Sequence, residues 1–578
     1  MPPKRRRSSA SEHAPLPSSK RTRTRHPLDH FSSLSDELLI RILHNLPIQT
    51  LIQCQRLSHH FYTLAGDSQI WKNLYYNRFV LPRALRIPGP KTDAALHFSS
   101  RSSKWLDDNT LLGKKTEWKG QYKLRHNWSI GACEVQEIHV ADRPSVPSML
   151  VKLAEGVVLT VDRGDGLRAW DLKERALIAG FALEDGAVPT CLAVDEGIGS
   201  GRLGIAVGFM DGGWGTWRLD LKEKEFVEVY RHPESSNGML SAVAYANPYI
   251  LTITDSQLLS LYTFTPTIPT SSTDDVDGDD EQEVPKSKSQ TVFGILIAKF
   301  TSSTDSEITP HSGLEPHLLA SLKSHTSWPP LSLSIRTTTS TIIASIAYSL
   351  PTYYSGYTIG LQELHLSTTT GTITFSRLSS ALPQGFSSIL SSPGVSSPSS
   401  GTSSPIPGNQ RNDINTGSNT RPTTLSYSHP YILATHPDNT LTLYLCTSTA
   451  STLHISPGTK LWGHTSSVSS AEITARGKAV SVSTRGNELR VWELEGGFSS
   501  STPSKNRRLN RRDERSVKIR PEGKDGEINT VEGRRGVLEG YSEEVGAQKS
   551  WVGFDDEMVI VLKESEQGTQ ALMVYDFT

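Results

Sequence analysis

The residues best suited to chemistry in this 578-residue chain are its four cysteines, eighteen histidines and many carboxylates. Their spacing withholds the familiar reactions. Cys54, Cys133, Cys191 and Cys446 stand far apart with no C-x-x-C pair, so they offer neither a zinc-finger ligand set nor a disulfide framework, and they fit a reducing, intracellular compartment. His59 and His60 are adjacent on a helical stretch, where neighbouring side chains diverge and cannot chelate one ion. Arg476-Gly477-Lys478 lacks the remaining glycines of a phosphate-binding loop. The acidic run Asp274, Asp275, Asp277, Asp279, Asp280, Glu281 and Glu283 has no calcium-loop spacing and reads as a solvated loop. Zincin helices, nucleophile elbows and paired Cys–His nucleophiles are not found in a credible strand–helix context. No catalytic residue, no metal site and no cofactor is therefore expected, and recognition is the chemistry that remains.

Recognition requires elements that present surfaces. Residues 34–79 read as three short amphipathic helices. In the first, Leu34, Leu38, Leu39, Ile42, Leu43 and Leu46 recur at helical spacing, with Ser35 as N-cap and Pro47 as the stop. The second runs from Thr50 with Leu51, Cys54, Leu57, Phe61 and Leu64 on one face. After Ala65-Gly66 a third opens at Asp67 and carries Ile70, Trp71, Leu74 and Phe79. So small a unit is marginal alone, and its apolar surface calls for a partner.

These helices resemble the F-box, the motif by which substrate receptors dock onto the Skp adaptor of cullin-based ubiquitin ligases. The resemblance rests on Leu34 and Glu37-Leu38, on Ile42-Leu43 with Leu46-Pro47, on Leu51 and Leu57-Ser58, and on Ile70-Trp71-Lys72. Ser35 stands where the family usually has Pro, and a Ser can replace a first-turn Pro by capping. The resemblance implies that Leu34, Leu38, Ile42, Leu43, Leu46, Pro47, Leu51, Leu57 and Trp71 bind a Skp-type adaptor, and through it a cullin.

Beyond residue 125 the chain changes to strand-like runs separated by Gly, Asp and Asn turns. Six segments, 157–172, 204–219, 249–264, 431–446, 479–494 and 558–577, repeat one plan: an apolar strand, a polar turn and a second strand ending near Trp or Tyr. A seventh lies near 341–349 and 357–366. Trp170, Trp217 and Tyr262 are 47 and 45 residues apart, and Tyr444 and Trp492 are 48 apart, close to the length of a propeller blade. Trp170-Asp171, Trp492-Glu493 and Gly463-His464 resemble the marks of WD repeats. The expected fold class is thus mixed and mainly β: a three-helix F-box followed by a β-propeller of seven blades built from degenerate WD repeats, with long disordered inserts. Six or eight blades, or a β-sandwich with inserts, are the alternatives. The chain ends on an inner-type strand, so WSIGACEVQEIHV (128–140) is expected to complete the last blade from its far side.

The expected domains are a basic tail (1–30), the F-box (31–80), a linker (81–125) and the propeller (126–578) with inserts at 268–290, 379–423 and 499–548. Ser392-Pro393, Ser397-Pro398 and Ser404-Pro405 could serve a proline-directed kinase. Two basic clusters, Lys4 to Arg7 and Lys20 to Arg25, resemble a bipartite import signal and place the protein in the nucleus, with a cytoplasmic share. A second basic stretch, 505–520, could be an import signal, a nucleic-acid contact or a charged loop. The net charge of −1 argues against nucleic acid as a partner, and no apolar run is long enough for a membrane span or a secretory signal. The sequon at Asn127 is read as chance. Turns between second and third strands should gather on one rim, where Arg163, Arg485 and Asn487, among Asp165, Asp211, Asp255 and Asp438, are the candidate substrate-binding residues. The resulting reading is the non-catalytic substrate receptor of a cullin–Skp ubiquitin ligase acting on an unknown protein. The alternative is a nuclear scaffold or chromatin-associated binding module that works without a cullin.

Overall fold

Short runs of β-branched and aromatic residues, broken by Gly and Asp turns, pair into seven sheets in the computed structural model, antiparallel throughout except where Ala132 and Cys133 run parallel to Arg520 and Pro521. The structure describes residues 34–81, 117–195, 201–265, 296–297, 315–323, 327–338, 341–352, 356–367, 372–381, 421–484, 488–494, 516–521, 548–565 and 567–578. They fall into two units, one helical and one β. The basic tail and most of the expected inserts lie outside these residues. Among the described helices none is long and apolar enough to cross a membrane.

The β unit is a propeller of seven blades. Blades 1 to 6 span 150–181, 189–232, 240–323, 328–380, 425–462 and 468–518, and blade 7 spans 548–576. The first strand of each blade packs on the first strands of both neighbours, so these innermost strands close a ring. Second and third strands are sandwiched between blades, which is why Val157–Asp162 is buried at every position and Gly166–Asp171 at all but its last. The seventh hairpin is Thr341–Pro351 with Tyr357–Ser367. Ring closure follows the expected plan: Ala132–Ala141 pairs antiparallel with Gln570–Asp576, Glu134 opposite Asp576 and Ile138 opposite Leu572, and so supplies the fourth strand of blade 7.

Several boundaries differ from the sequence reading. Where a linker was expected to reach 125 and a strand to begin at Trp128, a helix runs from Trp118 to Ile130. Gly131, at φ +76°, ends it, because a side chain there would strike the Lys518 carbonyl. From Lys123 onward this helix belongs to the propeller. Its Trp128 stacks on Phe577 at 3.9 Å, donates through Nε1 to the Asp556 carbonyl at 3.0 Å and carries the Lys478 ammonium 2.9 Å above its ring. Burial holds the Lys478 amine well below its ordinary range. Asn127, the sequon residue, donates to the Phe577 carbonyl at 2.8 Å. The outer strand of blade 3 is His317–Lys323, far beyond the third strand, Leu258–Thr263. Ser516–Lys518, inside the stretch read as an insert, is the outer strand of blade 6.

Blade 6 contains a buried polar chain that fixes its hairpin. Trp492 Nε1 donates to Ser481 Oγ at 2.8 Å, Ser481 lies 2.6 Å from His464 Nε2, and Glu488 is 3.7 Å from the other ring nitrogen. Burial, reinforced by the nearby Arg490 charge, pushes His464 down to about 4. Blade 1 keeps only part of such a chain, with Trp170 Nε1 donating to Thr160 Oγ1 at 3.1 Å.

The helical unit has four helices before its π-helical turn rather than three: α1 (Asp36–Leu43), α2 (Ile48–Cys54), α3 (His59–Ala65) and α4 (Ser68–Tyr75), followed by Tyr76–Val80. The expected second helix is split. Ser58 is fully extended and its Oγ accepts from Phe61 N at 3.2 Å, so it caps a new helix where a continuous one was read. Ser35 occupies the N-cap position of α1 without a side-chain cap, whereas Asp67 caps α4 by accepting from Gln69 N at 2.8 Å.

Candidate functional site

Within the helical unit, the residues expected to bind an adaptor separate into two sets. Leu43, Leu51 and Trp71 lie in its core, packed with Leu39 and Ile70. Trp71 is held there by its indole N–H, which donates to the Ala65 carbonyl at 2.8 Å, the same oxygen that accepts from Gln55 at 3.0 Å. Leu43 and Trp71 are 1% and 3% exposed, so neither offers its side chain at the surface. Leu38 and Ile42 are one turn apart on the opposite stripe of α1, at 50% and 38% exposure. Leu57, in the turn before α3, is 70% exposed. Pro47 is exposed, and Leu34 and Leu46 are half-buried. Ile52 and Tyr62 are also exposed apolar residues of this unit, and the sequence reading omitted them. An apolar surface of this kind is stabilised by being covered.

In the propeller, alternation of strand direction puts two kinds of loop on one face: the turns joining second to third strands, and the connections from each outer strand to the next blade. Arg163, in the 162–166 turn of blade 1, is exposed and has no ion-pair partner among the described residues. Its neighbour Arg168 is buried and shapes that turn, reaching Asp162 at 2.8 Å and Asp165 at 3.0 Å. Asp438 is taken up by Thr440 and by Lys460 at 3.7 Å. Arg485 and Asn487 lie outside the described residues.

The same face holds features that the sequence reading missed. Val146, Met210, Met239, Trp328 and Trp462 are all exposed, and each sits in or beside one of these loops. Their signal in the sequence was a bulky apolar residue at the edge of a turn, as in Met210 before Asp211-Gly212-Gly213. Backbone hydrogen bonds lace several loops into a strip across blades 2 and 3: Met210 N donates to Val188 O at 2.9 Å, Ser235 N to Asp211 O at 3.0 Å, and Asp255 N to Met239 O at 2.8 Å. Along the strip Glu184, Asp185, Asp211, Glu234 and Asp255 are exposed, and Arg231 is the one cation paired with any of them among the described residues, 3.9 Å from Glu184. The strip is therefore acidic with apolar residues set into it.

Comparison with known proteins agrees with this division. The family model described as the F-box protein pof12 beta-propeller matches residues 133–578, and an F-box-like model matches residues 31–77. The F-box protein dre-1 of Caenorhabditis elegans is 27% identical over 118 residues, 20% of this chain and 10% of that protein, so the match spans a tenth of the relative's length. Among solved structures, the computationally designed Ika8 protein is 11% identical, with 74% of this chain and 83% of that one covered and a TM-score of 0.33. The beta-propeller domain of Cps50 (Swd1) from Myceliophteria thermophila is 10% identical, with 77% and 99% covered and a TM-score of 0.36.

Proposed function

Because the chain belongs to the F-box protein pof12 beta-propeller family, we propose that it is a substrate-recognition subunit of a cullin–Skp–F-box ubiquitin ligase. Its helical unit docks the Skp-type adaptor and its propeller holds a protein target. The observation that carries the reading is the pairing of an F-box-like unit, whose Leu38, Ile42 and Leu57 stand uncovered, with a propeller that gathers exposed apolar side chains on one loop face. No reacting group is required of such a subunit. Holding a target beside a charged conjugating enzyme makes their encounter effectively intramolecular, and proximity is the catalytic contribution.

The acidic strip over blades 2 and 3 supports a target segment that is basic and carries apolar residues. A phosphorylated segment would meet like charge there, and like-charge contact across an interface disfavours wrong partners strongly.

The test is co-purification. Leu38→Asp with Ile42→Asp places carboxylates on a surface that docking would bury, and an unpaired buried charge costs far more than a lost methyl contact. Both sites are exposed in the free chain, so the helical unit should keep its fold. Adaptor and cullin should be recovered with the wild type and lost with the double variant. Adaptor without cullin in the wild-type sample would favour the scaffold alternative, and equal adaptor recovery from both proteins would refute the docking surface.

A further inference from the structure

Glu363, His429 and Cys446 come from separate parts of the sequence and meet where blades 4 and 5 pack. Glu363 is mid-way along the third strand of blade 4, Tyr357–Ser367; Cys446 is on the third strand of blade 5, Thr440–Ser448; and His429 is in the turn between the first two strands of blade 5. Cys446 N donates to the Pro430 carbonyl at 2.7 Å, which seats that turn beside the thiol's strand. One donor atom from each side chain lies within 4.8 Å of the other two. Glu363 is fully buried, Cys446 is buried and His429 half-buried.

From this convergence we propose that Glu363, His429 and Cys446 bind a zinc ion between blades 4 and 5. A carboxylate, an imidazole and a thiolate are the ligand types zinc takes, and three protein ligands with a water in the fourth position are a common arrangement. Bonds of about 2.0–2.3 Å bring tetrahedral donors to roughly 3.5 Å of one another. The required closure is therefore on the order of 1 Å, and His429 is on a turn that can supply it. Glu363 is already oriented as a metal ligand would be: Arg336 Nη2 donates to Oε1 at 2.7 Å, Ser448 Oγ donates to Oε2 at 2.6 Å, and His365 Nε2 is 3.3 Å from Oε2. Such outer contacts hold ligating carboxylates in place and leave lone pairs for the ion.

Other buried polar groups border the three donors. The hydroxyls of Tyr427 and Ser345 are buried beside this cluster and interact with each other. Ser345 is the cross-strand neighbour of Glu363, and Tyr427 shares a core cluster with Cys446. A zinc-bound water would pair with the hydroxyls. On binding, the Cys446 S–H bond breaks, the proton passes to solvent and the sulfur lone pair forms the bond to zinc.

The full chain, purified without chelator and dialysed after exposure to Zn²⁺, should retain about one zinc per chain by elemental mass spectrometry. Cys446→Ser and His429→Gln should each bind at least about tenfold more weakly, with circular dichroism as the check on folding. Co²⁺ serves as a spectroscopic probe that needs no variant: a thiolate-to-cobalt absorption band in the wild type supports the site. Absence of that band, or zinc retention in the wild type no greater than in a folded Cys446→Ser, overturns it.

Discussion

At the scale of single residues, His464 shows how burial converts a polar group into a pH dependence. Its folded value of about 4 lies below the 6.5 of an exposed imidazole, so between these values the unfolded chain takes a proton that the folded one refuses. Stability attached to the neutral ring is fully present above about pH 6.5 and lost as pH falls toward 4, by up to about 3 kcal/mol. His464→Gln should therefore lose less melting temperature between pH 7 and pH 5 than the wild type, and parallel losses would refute the assignment. Residue identity was legible here, since Gly463-His464 and Trp492 stood out in the sequence, but Glu488 was not. The residues expected to dock an adaptor were legible as apolar positions at helical spacing, but which of them are exposed was not. Helical spacing marks Leu38 and Leu39 alike, and only packing against Leu51 and Trp71 decides which of them is left outside.

Among the elements, the helix from Trp118 to Ile130 was the one least visible beforehand. Its sequence, WKGQYKLRHNWSI, carries no clear apolar stripe, because its large residues serve different neighbours. Leu124 and Trp128 join the core shared by blades 6 and 7. Trp128→Ala would remove the stack on Phe577, the bond to Asp556 and the ring under Lys478 together, with a cost of about 3–5 kcal/mol. The propeller transition in thermal unfolding should fall accordingly, and a variant melting with the wild type would show the helix to be a passive attachment. Outer strands escaped the sequence reading for a different reason. His317–Lys323 and Ser516–Lys518 are half-exposed, lack a strict alternation and follow long polar stretches, so no local signal ties them to their blades. The paired hairpins at the centre of each blade are buried on both sides and read clearly.

On the scale of the whole molecule, seven blades were expected, with six or eight left open, because six segments repeat one buried hairpin clearly and a seventh less so, while the character of the loop face depends on which turns the ring brings together. Acidic side chains from four successive loops acquire meaning as a strip only when blades 2 and 3 adjoin. Rim charges set association rate and its salt dependence. Asp211→Lys with Asp255→Lys should lower target recovery several-fold and leave adaptor recovery unchanged; undiminished target recovery would place recognition elsewhere on the molecule. The pairing of Ala132–Ala141 with Gln570–Asp576 also imposes an order in time. A ribosome adds about 5–20 residues per second, so the early strand waits roughly 20–90 s for its mate. Through that interval the nascent propeller is an unsealed arc with a bare strand at its margin, open to chaperones and to pairing with neighbours on the same polysome. A premature stop that removes only the last strand would fix the protein in that condition, and quality control would meet it as an incomplete ring even though nearly every blade had been made.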